Sequence, residues 1–168
     1  MKHPWLPVAG FSLLLAGASA WADMSAQDFV DNASAAGMAE IETARIALDR
    51  GQSTEVKNFA EMMIKDHTGA NDELMEIAQR KQLEVADSPD AMNKAKAMIL
   101  EMREGEAFDE AYARNQVNAH EQVIELYEEA AEGVDDEDLK SFAKEKLPTL
   151  KKHLEAARKL AGVEETNQ

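Results

Sequence analysis

The chain has 168 residues, with 33 acidic against 18 basic side chains, four histidines, no cysteine and a formal charge of −15. The lack of cysteine excludes a disulfide framework, a thiol nucleophile, a thiolate metal site and a lipidated N-terminal cysteine. The acidic balance makes nucleic acid and anionic lipid poor partners, because like charge repels, and it favours cations or basic partners.

Residues 1–22 read as an export signal. Lys2 gives the positive start, and Leu6 to Ala16 is an apolar run too short to span a bilayer. Ala18-Ser19-Ala20 and Ala20-Trp21-Ala22 offer two cleavage patterns, and cutting after Ala22 fits the polar turn at Asp23 better. The expected location is therefore the periplasm or the exterior, with no membrane insertion once the signal is removed. About 146 residues then remain, enough for one domain with a real core. Without Lys2, 17 basic residues face 33 acidic ones, a charge of −16.

Glycine and proline are scarce, and good helix formers dominate, with apolar residues every three or four positions. The first helix is predicted from about Ala26 to Arg50, with Ser25 and Asp28 as a capping-box-like start and Gly51 as the stop. Its stripe is Phe29, Ala33, Gly37, Glu40, Ala44 and Ala47. The second runs from Ser53 or Thr54 to about Lys81, with Val56, Ala60, Met63, His67, Ala70, Leu74 and Ile77 inward. That spacing is the seam of a helix bundle, and the short loop before it implies an antiparallel hairpin.

Ser88-Pro89 opens a shorter helix, with Pro89 at its first position and Ala91, Ala95, Met98, Ile99 and Met102 as its apolar residues. It breaks near Gly105. The next helix spans about Glu106 to Glu132, with Ala113, Val117, His120, Ile124, Tyr127 and Ala131 inward and Gly133 at its end. The last runs from about Asp136 to Ala161 and carries Leu139, Phe142, Ala143, Leu147, Leu150, His153, Leu154, Ala157 and Leu160. Pro148 lies inside it and is expected to kink it. A polar tail follows, residues 163–168. The pattern gives an all-α, ferritin-like four-helix bundle over residues 23–162, with a crossover at 82–105 that contains the extra short helix.

Three histidines remain after export, one on each of three long helices, each on or beside its apolar stripe. If roughly 40% of bundle positions face inward, all three land inside by chance about one time in sixteen. Axial rise puts His67 about 20 Å and His120 about 21 Å from helix starts that share one end of a crossover bundle. From the same end, His153 lies about 12 Å and Glu40 about 15 Å away, a spread of under two turns. The four side chains can share one layer. Glu40, His67, His120 and His153 then form a candidate site for a single transition-metal ion, zinc, iron, manganese or copper. The alternative is a hydrogen-bonded polar layer, for example His67 or His120 with Glu40 and a buried water.

Neighbouring residues have their own expectations. Asp66 points about 100° away from His67, toward solvent or a neighbouring segment. Asp109 and Tyr112 are placed to cap the helix they begin, and Tyr112 sits about two turns too early for the polar layer. Met38, Met62, Met63, Met98 and Met102 are expected inside, as flexible core filler rather than copper(I) ligands.

The segments FVDNASAAGMAEIETARIAL, VKNFAEMMIKDHTGANDEL, AFDEAYARNQVNAHEQVIELY and LPTLKKHLEAARKL resemble the bacterial family called domain of unknown function 4142. The motifs are Asp66-His67, Phe108-Asp109…Tyr112…His120 and Leu147-Pro148…His153-Leu154. The resemblance covers nearly the whole exported chain and implies an exported, ferritin-like helical bundle. Likeness to ferritin-like di-iron enzymes stops at the Glu-x-x-His motif, because the residues three before the histidines are Ile64, Val117 and Leu150. A mononuclear site survives that departure. The functions in view are a metal-binding bundle for buffering or stress tolerance, and a structural or interaction protein of the cell envelope. An enzyme fits less well, since no nucleophile elbow, phosphate loop or zinc-protease motif is present.

Overall fold

A computed structural model describes residues 24–163. The export signal and its cleavage points, with residues 164–168 of the tail, lie outside them. Five helices account for most of the described chain: α1 Ala26–Arg50, α2 Thr54–Lys81, α3 Ala91–Glu101, α4 Glu106–Gly133 and α5 Glu137–Ala161.

The helices start where a short polar side chain can take up a backbone N–H that has no partner within the helix. Ser25 accepts from the Asp28 N–H at 3.0 Å, and Ser53 from that of Val56 at 3.2 Å. Asp90 accepts from the Asn93 N–H at 2.8 Å, and Asp136 from those of Asp138 and Leu139. Asp90, not Pro89, thus opens α3. Gly105 leads into α4 with a φ of 63°, a conformation glycine adopts without strain, and without a side-chain cap. Asp109 does not cap α4 either. Its carboxylate accepts from the backbone N–H of Gln52 at 3.0 Å and of Ser53 at 2.8 Å, so it ties α4 to the α1–α2 loop. Pro148 leaves α5 a single helix, and it sits on the exposed side beside an exposed Lys144, where a carbonyl without its helical partner meets water.

The long helices pack in a ring in which α1 and α5 each touch α2 and α4, while α3 lies on α1 with a lighter contact on α4. Two polar ties fix their directions. The Asp109 link puts the starts of α2 and α4 at one end. At the other end Lys81 bridges Asp136 at 2.7 Å and Asp138 at 2.8 Å, joining the end of α2 to the start of α5. Helices α1 and α5 therefore run one way and α2 and α4 the other, which is the ferritin-like crossover arrangement. At Gly37 an added Cβ would stand 2.2 Å from Asn71 Oδ1, so the Asn71 amide lies over α1 in a place that a larger residue would make it leave.

Two apolar clusters fill the bundle. One joins Phe29, Tyr127 and Phe142 with Leu74, Val134 and Leu139. The other, at the Asp109 end, joins Phe59, Met63, Phe108, Tyr112 and Ala157. The α3 face differs from the expected one: Ala97 and Leu100 are buried, whereas Ala91 and Ala95 are exposed and Met98, Ile99 and Met102 are 66%, 54% and 85% exposed. The four long helices close the core among themselves, so α3 covers it through one narrow edge. Met63 is buried as expected and Met38 and Met62 are half-buried, but Met98 and Met102 lie outside.

Candidate metal centre

Between the two apolar clusters lies a polar layer. His67 of α2, His120 of α4 and His153 of α5 are 6%, 1% and 3% exposed. Their ring centroids stand 5.4–5.6 Å apart, and one ligating atom of each lies within 4.8 Å of the others.

Two of the rings are held from behind. His120 Nδ1 lies 2.9 Å from the carbonyl oxygen of Gln116, one turn earlier. A carbonyl only accepts, so Nδ1 carries the hydrogen and Nε2 is left as a bare lone pair. His153 Nε2 lies 3.0 Å from Asp66 Oδ2, which leaves Nδ1 bare in the same way. The nitrogens His67 Nε2, His120 Nε2 and His153 Nδ1 are buried and make no hydrogen bond. An outer partner that fixes ring and tautomer is the usual support of a metal-ligating histidine. Burial, with the neighbouring His120 and His153, holds His67 well below the usual imidazole range. Burial also lowers His153, and His120 adds to it, against the upward pull of Asp66. Both rings are therefore neutral at neutral pH, the form that binds metal.

Glu40 of α1 is in this layer, 6% exposed, but it is not among the three groups whose ligating atoms converge. Burial raises its pKa, while His120, the Gln116 amide and Lys96 pull it down. Around it lie Gln116, whose Nε2 is 3.4 Å from Thr43 Oγ1, and Tyr112, whose hydroxyl is raised well above its usual range by burial and by Glu40. Glu40 Oε2, the Tyr112 hydroxyl and Gln116 Oε1 are buried without a hydrogen bond.

A cleft of about 450 Å³ between α2 and α5 reaches His67 and His153. A smaller one, about 240 Å³ and lined from α1, α3 and α4, reaches Glu40. Asp66, expected to face solvent or a neighbouring segment, meets α5 and supports His153. Tyr112 belongs to an apolar cluster, as its position along the helix implies, yet its hydroxyl still feels the Glu40 charge. Gln116 and Thr43 were not foreseen. The apolar stripe pointed to Val117, which is half-buried, while its polar neighbour Gln116 is fully buried.

The three nitrogens fit one ion. In an equilateral triangle of 4.8 Å side the centre is about 2.8 Å from each corner, against the 2.0–2.1 Å of a zinc–imidazole bond. Each ring must move inward by at most about 0.7 Å. A dinuclear site has no comparable basis, since Ile64, Val117 and Leu150 offer no bridging carboxylate.

Fold and site together define a ferritin-like, all-helical bundle with three convergent imidazoles in its core. The chain belongs to the family described as domain of unknown function (DUF4142), whose profile matches residues 14–160. It is similar to the crystal structure of a conserved hypothetical protein, rv2844, from Mycobacterium tuberculosis, with a TM-score of 0.62 and 17% identity over 83% of this chain and 92% of that one. At that identity the likeness shows the fold alone. No curated protein matches this chain.

Proposed function

We propose that this protein is an exported metal-binding bundle. His67, His120 and His153 hold one divalent transition-metal ion, and Glu40 stands beside His120 as a compensating carboxylate. The observation that carries this reading is the convergence of three buried nitrogens that make no hydrogen bond. Leaving such groups unsatisfied costs about 1–3 kcal/mol each, and ligation removes that cost. No protein group donates to these atoms, and the bonds among protein groups fall on the outer nitrogens of His120 and His153.

Imidazole donors suit zinc, copper or iron, and manganese, which prefers oxygen, comes after them. The role that follows is metal buffering or tolerance of metal stress outside the cytoplasm. Export is supported by the character of residues 1–22. In addition, no helix among the described residues is long and apolar enough to cross a membrane.

The test is metal content after purification without a histidine tag and equilibration with buffered zinc or copper. Wild type should hold one equivalent, and His67→Ala and His120→Ala none, with helical content retained. Wild type that takes up no more metal than these variants would overturn the reading. Cell fractionation with mass determination of the N-terminus tests export, and a mature chain that begins at Asp23 is expected.

A further inference from the structure

We infer that the cleft between α2 and α5 leads to an exchangeable position on the bound metal and admits a small anion there. This rests on the metal reading above and adds a ligand class and a route.

Three protein nitrogens converge, and no fourth His, Asp or Glu among the described residues joins them. A divalent ion held by three imidazoles keeps at least one position for an outside ligand. The surroundings show which side that position faces. His67 and His153 line the α2–α5 cleft, whereas His120 does not. Behind His120 stand Gln116 and Glu40. The open side is therefore the one toward α2 and α5.

Charge selects the ligand. Three imidazoles leave a divalent ion both its charges, Glu40 can offset at most one of them, and burying the remainder is costly. A small anion reduces that cost, as does a bound water that gives up a proton, whereas a neutral ligand does not. The cleft walls do not compete for the anion. Lys65 and Lys146 are offset by Asp66 and Glu73, and Lys146 is paired with Glu73. At about 450 Å³ the cleft lies within the ~300–1,000 Å³ of small-molecule sites, which suits azide, formate or a small carboxylate. Gly69 lines the cleft beside open space, since a Cβ there would meet nothing within 4 Å.

The experiment uses the mature chain loaded with one equivalent of cobalt(II), with azide as the probe and the visible spectrum as the readout. Azide should change the spectrum saturably, with one-site behaviour. In Gly69→Phe, which builds into open space, azide affinity or its rate of entry should fall at least tenfold while cobalt affinity stays as in wild type. Thr149→Trp, from the exposed α5 wall, should act in the same way and serves if Gly69→Phe loads poorly. Cobalt-loaded protein that ignores azide overturns the inference and leaves the metal reading standing. So does a response that both wall variants retain in full, or one that appears only in Glu40→Ala, which would mean that Glu40 already fills the position. Failure to bind cobalt at all overturns the metal reading, and this inference with it.

Discussion

The aromatic cluster at one end of the bundle and the imidazole layer at its middle share almost the same geometry. Phe29 meets Tyr127 edge to face at 5.3 Å and Phe142 at 6.4 Å. His120 meets His67 and His153 edge to face at 5.6 and 5.4 Å. In the first cluster each ring edge is C–H, slightly positive, and it rests on a negative ring face. In the second, three buried ring nitrogens make no hydrogen bond, and those of His120 and His153 are lone pairs. The same packing that completes one region leaves the other with three buried nitrogens that could hold a cation.

Substitutions and pH can break this contrast. The largest effect should come from Phe29→Ala, about 3–5 kcal/mol of lost stability, equal with and without metal in urea unfolding. Next is His120→Phe, which keeps a ring and removes a lone pair. Metal at a hundredfold excess over its dissociation constant should stabilise wild type by about 2.7 kcal/mol, and this variant not at all, which thermal unfolding with and without zinc would show. Without metal the variant should stay within about 1 kcal/mol of wild type, because removing the unsatisfied Nε2 offsets the loss of the Nδ1 bond to Gln116. Asp66→Asn should weaken metal binding by about tenfold to a hundredfold in competition with a chromophoric chelator.

The smallest effect is on the pH profile of the metal-free protein. Unfolded His67 and His153 take up protons near pH 6.5, whereas in the folded state their lowered pKa values hold the protons off. The unfolded state then binds more protons, so their contribution is whole above pH 6.5 and is lost as pH falls. Glu40 has the opposite sign. Its raised pKa keeps it protonated in the fold above 4.5, and its contribution is lost as pH rises through the raised value. Glu40→Gln should therefore make metal-free protein more stable at neutral pH, and unfolding midpoints from about pH 5 to pH 8 in chelator would check both.

The long helices could be read from the chain because seam and caps agree. Ser25, Ser53 and Asp136 mark three helix starts, and the inward residues of α1 are all buried. For α3 the expected apolar residues are Ala91, Ala95, Met98, Ile99 and Met102, whereas Ala97 and Leu100 are the ones buried. The closure of the core by α1, α2, α4 and α5 decides which edge of α3 is covered. At the site, helical rise gives the height of Glu40, His67, His120 and His153 but not the rotation of one helix against another. That rotation sets Glu40 beside the imidazole triangle and brings Asp66 to His153. Gln116 and Thr43 owe their burial to the same rotation, and no spacing announces it.

The carboxylate of Asp109 has a further consequence. By gripping the backbone at Gln52 and Ser53 it ties the starts of α2 and α4 together, and His67 lies fourteen residues beyond Ser53 while His120 lies eleven beyond Asp109 itself. At 1.5 Å per residue the two rings stand about 21 Å and about 17 Å along, within one helical turn of each other. The connecting stretch 82–105 is thereby relieved of setting this alignment. A change in its length should leave the rings in place, whereas one residue added inside either helix ahead of its histidine would swing that ring by about 100°.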